Sequence, residues 1–147
     1  MNILLRPAKI SDISNILMLE GQTQFDKYSQ DSLTQMFNLD YYKIIVATLD
    51  DKVIGYIVAT ILFEDADILK IIVDSKFRRL GVGKQLIDNL LSICKKNGVK
   101  KLHLEVRMDN STAINFYEDL GFEYEFSRKN YYGLIDAKIY GMNINEN

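Results

Sequence analysis

Among its 147 residues the chain has one cysteine, one histidine, one proline and no tryptophan. A lone cysteine cannot close an internal disulfide, and one cysteine with one histidine cannot make a metal cluster at ligand spacing, so no structural or catalytic zinc is expected. Cys94 falls with Leu86, Leu90 and Leu91 on the apolar side of a helical pattern, which reads as a small core residue in a reducing, cytoplasmic setting. No window approaches the run of about 18 apolar residues that a membrane span requires. The N-terminal MNILLRPAKI reaches Arg6-Pro7 too soon to read as an export signal. With 18 basic and 20 acidic residues interspersed, the net charge of −2 provides no field of one sign to recruit nucleic acid or an anionic membrane. Repeats, low-complexity tracts and proline-rich linkers are also missing, so residues 1–147 are expected to form one domain with a self-sufficient core.

What is present alternates between two periods. Asn2 to Arg6 reads as a strand closed by Pro7, and Ser11 as the cap of an amphipathic helix through Ile13, Ile16, Leu17 and Leu19 to about Glu20. After a polar stretch carrying Phe25 and Tyr28, readable as core lids or ligand contacts, a short helix is expected over Asp31 to Phe37. Tyr42 to Leu49 and Val53 to Phe63 form a hairpin about Asp50-Asp51-Lys52, with Gly55 marking a bulge or a close backbone approach. A turn at Glu64 to Asp67 leads into Ile68 to Val73, apolar on both faces except at Lys70 and therefore central. A long helix to Asn97 stops at Gly98, and Lys101 to Arg107 alternates strictly, with Lys101, His103, Glu105 and Arg107 on its polar side. A helix capped at Asn110 or Ser111 ends at Gly121, and two closing strands, Phe122 to Ser127 and Lys138 to Ile144, flank a loop from Arg128 to Gly133 that holds Tyr131 and Tyr132.

The chemistry gathers where the central strand enters the long helix. Arg78-Arg79-Leu80-Gly81-Val82-Gly83-Lys84 sets side-chain-free positions beside cations at a helix start, where several backbone N–H groups converge on one anion. Neither the Walker loop nor the dinucleotide fingerprint fits, since Gln85 stands where the first needs Ser or Thr and Leu86 where the second needs a small residue. Arg-x-x-Gly-x-Gly resembles instead the pyrophosphate loop of the GNAT N-acetyltransferases. Further on, LEVRMDNSTAINFYEDLGFEY and RKNYYG resemble the RimI-type N-terminal protein acetyltransferases of that superfamily, from about Asp65 to Gly141. The resemblance implies an α/β domain with a mixed, mostly antiparallel twisted sheet of about six or seven strands and about four helices. It also implies acetyl-coenzyme A as cosubstrate, with no metal. It assigns Arg78, Arg79, Leu80, Gly81, Val82, Gly83 and Lys84 to the diphosphate, the backbone of Ile71, Ile72 and Val73 to the pantetheine arm, and Asn110 to a coenzyme contact. Glu105 becomes the general base and Tyr117 the acid that protonates the departing thiolate. In the N-terminal half the resemblance lapses, because the Pro-Trp of the family's first interhelical loop is here Asp26-Lys27-Tyr28.

Acetyl transfer asks nothing these residues lack. A thioester is already activated, so the protein need only hold it, deprotonate an ammonium and help the thiolate leave, with no covalent nucleophile. The favoured acceptor is a protein N-terminus, and the protein is expected as monomer or homodimer. A small amine or lysine acceptor ranks second, for which Glu64, Asp65 and Asp67 are the candidate acidic cluster. A regulatory module that binds acyl-coenzyme A without transfer is the rival from another class. Without the resemblance, Glu105 has a second reading as a solvated carboxylate paired to His103 or Arg107, and for Tyr117 composition favours a core aromatic.

Overall fold

The structure, a computed structural model, describes residues 2–23 and 26–144. In chain order these form β1 (Ile3–Pro7), a 3-10 turn (Ile10–Asp12), α1 (Ile13–Glu20), α2 (Gln30–Phe37), β2 (Tyr42–Leu49), β3 (Lys52–Leu62) and β4 (Asp65–Val73). A second 3-10 turn (Ser75–Phe77) precedes α3 (Val82–Lys96), followed by β5 (Lys101–Arg107), α4 (Ser111–Asp119), β6 (Glu123–Tyr132) and β7 (Ile135–Asn143). All seven strands join one sheet in the order β1-β2-β3-β4-β5-β7-β6, antiparallel except where β4 meets β5. This is the mixed, mostly antiparallel α/β sheet with four flanking helices that the sequence implies, and β4 stands at its centre.

Two apolar layers cover the sheet unequally. On one face α3 and α4 bury Leu86, Leu90, Cys94, Ile114 and Tyr117 against Ile57 of β3, Leu102, Leu104 and Val106 of β5 and Tyr140 of β7. Burying each such aliphatic side chain contributes about 1.5–3 kcal/mol. On the other face α1 and α2 set Ile16 and Leu33 on Val46, Tyr56, Val58 and Ile72, and no residue of β5, β6 or β7 belongs to that cluster. Among the described residues no helix therefore covers the same face of β5-β7-β6, and there β5 shows its half-buried Lys101, His103, Glu105 and Arg107.

Several element ends depart from the sequence reading. Ser11 does not cap α1; the carboxylate of Asp12 does the local work, accepting the Lys9 N–H at 2.7 Å and two guanidinium bonds from Arg6 at 2.8 and 2.9 Å. Those bonds hold the Asp12 carboxyl below the usual range. Ser29 caps α2 by accepting the Ser32 N–H at 3.1 Å. β4 begins at Asp65 where a turn was expected, because parallel pairing of Asp65 to Ile68 with Lys101 to Leu104 extends it. β6 runs to Tyr132, where a loop was expected, since Tyr132 still pairs with Ile135. Phe25 lies outside the described residues.

Candidate active site

The site starts as a parting of two strands. β4 and β5 pair only from Asp65↔Lys101 to Ile68↔Leu104, although β4 continues to Val73 and β5 to Arg107. An extra residue, Leu69, bulges β4 against β3 at that point, since Ile68 pairs with Ala59 but Lys70 with Val58. A bulge bends and twists its strand, which swings β4 away from β5. The exposed edge keeps a defined polarity: Asp74 N–H donates to Ile54 O at 2.8 Å, so alternation turns the backbone groups of Ile71 and Val73 toward the gap and those of Ile72 toward β3. Arg78 Nε donates to Val73 O at 3.3 Å. An extended chain in the gap would meet the Ile71 N–H and C=O and the Val73 N–H.

Beyond β4 the chain turns through Arg79 at φ +64° and Gly81 at φ +80° before α3 begins. The first α3 bond runs from Gln85 N–H to Gly81 O, so the N–H groups of Val82, Gly83 and Lys84 have no partner within the helix. With Arg78, Arg79, Leu80 and Lys84 exposed around them, these donors form an anion cradle at the positive end of the helix dipole. The two glycines do different work. Gly81 occupies the left-handed region and a Cβ on it would meet nothing within 4 Å, whereas a Cβ on Gly83 would come to 3.0 Å from Phe116 Cζ of α4. Gly83 is thus also a packing residue. Gly55 serves the same junction, for a Cβ there would press on Val82 at 3.3 Å and on Ile72 O at 3.2 Å. Both a bulge beside it, at Ala47/Thr48, and a close approach are present.

Glu105 and Tyr117 lie on opposite faces of the sheet, with the gap between them. Glu105 stands on the uncovered face with its side chain 30% exposed, and Arg128 Nη1 of β6 is 3.4 Å away. It pairs with neither neighbour the sequence suggested: His103 Nε2 turns to Glu125 at 3.2 Å, and Arg107 to Asp109 at 3.1 Å. Glu125 lies over Gly141, where a Cβ would collide with its carboxylate. Tyr117 belongs to the α3 and α4 side, where its ring meets Phe116 and Phe122 edge-on at 5.3 and 5.8 Å. Burial pushes its phenol up to about 12, so it keeps its proton at neutral pH. Its hydroxyl makes no bond among the described residues, yet no buried polar side-chain atom there lacks a partner, so the hydroxyl reaches open space. Asn110 caps α4 through its Oδ1, which accepts the Ala113 N–H at 3.2 Å and leaves its NH2 group outward.

Residues that the sequence reading named without a role stand around the mouth above Glu105. Arg107 lies over the Tyr132 ring at 5.5 Å and Arg128 over Tyr131 at 5.6 Å. Burial, then the charge of Glu105, raises the Tyr132 phenol. The RKNYYG motif was the available signal for the hairpin.

This architecture has relatives. Residues 10–122 match the model of the acetyltransferase (GNAT) family. The [ribosomal protein bS18]-alanine N-acetyltransferase of Salmonella typhimurium is 36% identical over 91 residues, 62% of this chain and 62% of that protein, so under two-thirds of its length is matched. A putative enzyme of the same description from Bacillus subtilis is 28% identical over 96% of this chain and 95% of its own. Among solved structures, the ribosomal-protein-S18-alanine N-acetyltransferase of Escherichia coli superposes with a TM-score of 0.89 at 26% identity, covering 98% of this chain and 95% of that one. Ard1 from Thermoplasma volcanium gives 0.90 at 29% identity, over 99% and 100%. With the family model spanning the strand gap, the cradle and both nominated side chains, the chain belongs to the acetyltransferase (GNAT) family.

Proposed function

We propose that this protein transfers the acetyl group of acetyl-coenzyme A to a primary amine, and that the amine is the N-terminal α-amino group of a protein. The observation that carries this reading is the gap between β4 and β5, ended by the free N–H groups of α3 and flanked by a carboxylate on one face and a free phenol on the other. An acyl arm in the gap would expose its carbonyl to an amine arriving over Glu105 while its sulfur faced α4. Val82, Gly83 and Lys84 N–H, with the guanidinium groups of Arg78 and Arg79, would hold the diphosphate; Ile71 and Val73 would pair with the amide-bearing arm; Asn110 offers its amide NH2. Glu105 takes a proton from the ammonium, directly or through one water, and the freed amine attacks. Tyr117 stays protonated and donates to the sulfur as negative charge collects there, which lowers the barrier to breaking the C–S bond.

The acceptor follows from acidity and from the relatives. An α-amino group, with pKa near 7.7, is neutral in roughly one molecule in six at pH 7, against about one in 2,500 for a lysine near 10.4. A carboxylate base suits the first. The matched proteins from Salmonella typhimurium and Escherichia coli are named for acetylating a ribosomal-protein alanine, which points the same way. The acidic cluster that a polyamine would need is partly offset, with Lys100 3.2 Å from Glu64 and burial raising the Asp67 carboxyl. Among the described residues no helix is long and apolar enough to cross a membrane, consistent with work on cytoplasmic proteins. Thiol release from acetyl-coenzyme A with N-terminal peptides, a lysine peptide and spermidine tests the reading. The N-terminal peptides, alanine-first among them, are expected to give the highest kcat/KM; preference for spermidine would move the acceptor to small amines, and binding of coenzyme A with no transfer would leave a sensor.

A further inference from the structure

Beneath α1, where the helices cover β3 and β4, lies a buried ion pair that the transfer chemistry does not use. Glu20 is the last residue of α1, where the helix dipole disfavours a carboxylate, yet its side chain is only 2% exposed. It accepts from the Tyr56 hydroxyl of β3 and from the Lys70 ammonium of β4 at 3.1 Å. The same ammonium, 14% exposed, donates to the backbone carbonyl of Asp26 and sits 4.2 Å from the centre of the Tyr28 ring. One charge therefore binds the end of α1, Asp26 and Tyr28 to a single strand. Gln22 adds a second tie, its Oε1 accepting the Ser75 N–H at 3.0 Å where the chain heads into the cradle.

Two buried charges are costly to desolvate, and apolar residues of similar volume are often as stabilising, so stability alone gives little reason for this cluster. Its position gives one. Lys70 precedes by one residue the Ile71 to Val73 stretch proposed for the coenzyme arm, and it stands just past the Ile68↔Leu104 pair where the strands part, on the sheet face that Glu105 shares, so the stretch it grips, Asp26 to Tyr28, lies on the amine side of the gap. We propose that Lys70 is a positioning residue for the amine acceptor, fastening the 26–28 wall of the mouth to the coenzyme strand. This rests on the transfer reading above. Loss of the clamp should loosen the wall and weaken acceptor binding without touching the cradle.

Removing the ammonium alone would strand Glu20, so the informative variant neutralises both, Glu20→Gln with Lys70→Met, alongside the conservative Lys70→Arg. Two readings are taken on the full chain: the rate of trypsin cleavage after the exposed Lys27, and KM for the best N-terminal peptide against KM for acetyl-coenzyme A. The double variant is expected to be cleaved about tenfold faster and to raise acceptor KM about tenfold, with KM for acetyl-coenzyme A within about twofold and Lys70→Arg close to wild type. Cleavage and acceptor KM both unchanged, or a coenzyme KM rising in step with the acceptor's, overturn the proposal. Should the double variant fail to fold, Tyr28→Leu, which removes only the ring beneath the ammonium, carries the test with an expected rise of about threefold in both readings; no change in either overturns it. A wild-type protein that acetylates none of these amines overturns the acceptor role together with the transfer reading, while the cleavage ratio still judges the clamp, so the two failures are distinguishable.

Discussion

Residues 71–84 and the mouth over Glu105 are built of different materials. The first presents backbone: Ile71 and Val73 along an open strand edge, then the N–H groups of Val82, Gly83 and Lys84 at a helix start. The second presents side chains from separated segments, Glu105 and Arg107 on β5 and Arg128, Tyr131 and Tyr132 on β6, with the Asp26 backbone tied to Lys70 of β4. Under the proposed function, backbone donors would recognise what every coenzyme A molecule shares, a diphosphate and an amide arm, at fixed geometry. Side chains can be exchanged without disturbing the sheet, so acceptor choice can change while the coenzyme half stays as it is.

The sharpest break in this comparison comes from Glu105→Gln. The amide keeps the shape, and Arg128, half exposed, loses only a 3.4 Å partner that water replaces, so fold and coenzyme binding should persist. Rate at neutral pH should fall by about one hundred to ten thousandfold. The deficit should shrink as pH rises toward the acceptor's own pKa, because solution then supplies the neutral amine; pH profiles of kcat/KM for both proteins check this. A Gln variant as fast as wild type at pH 7 removes Glu105 as base.

Tyr117→Phe follows, on the coenzyme side but through a side chain. The ring contacts with Phe116 and Phe122 survive, so stability and coenzyme KM should hold while kcat drops about ten- to a hundredfold. A kcat within about twofold of wild type makes the residue purely structural.

The smallest effect separates the two glycines of the cradle. Gly81→Val strains the left-handed backbone and crowds the approach to the N–H groups, and should raise coenzyme KM about tenfold with acceptor KM unchanged. Gly83→Ala adds a methyl 3.0 Å from the Phe116 ring and should lower Tm by a few degrees, with coenzyme KM up only about two- to threefold. Equal coenzyme effects from both would mean that Gly83, too, is there for the ligand rather than for α4.

How far the sequence reached follows the same division. β2 and β5 carry their limits in plain sight, as does α3, because strict alternation or helical spacing ends there in turn residues such as Gly98. β6 misled, since Arg128 to Tyr132 looks like a polar loop and becomes strand only because β7 pairs with it. Ser11 misled too, because Arg6, six residues earlier, recruits Asp12 instead. The cradle and the candidate acid and base were legible because each lies within one contiguous motif.

The sequence by itself determined the sheet's period, the helix that follows the central strand and the grouping of glycines and cations at that helix's start, all of which rest on interactions between near neighbours in the chain. Only the tertiary structure decided that Leu69 opens the gap, that Gly83 answers to Phe116, and that Lys70 joins Glu20, fifty positions away, to Asp26. Those contacts depend on which strand lies beside which and on which faces the helices leave bare, and no local pattern of residues encodes that.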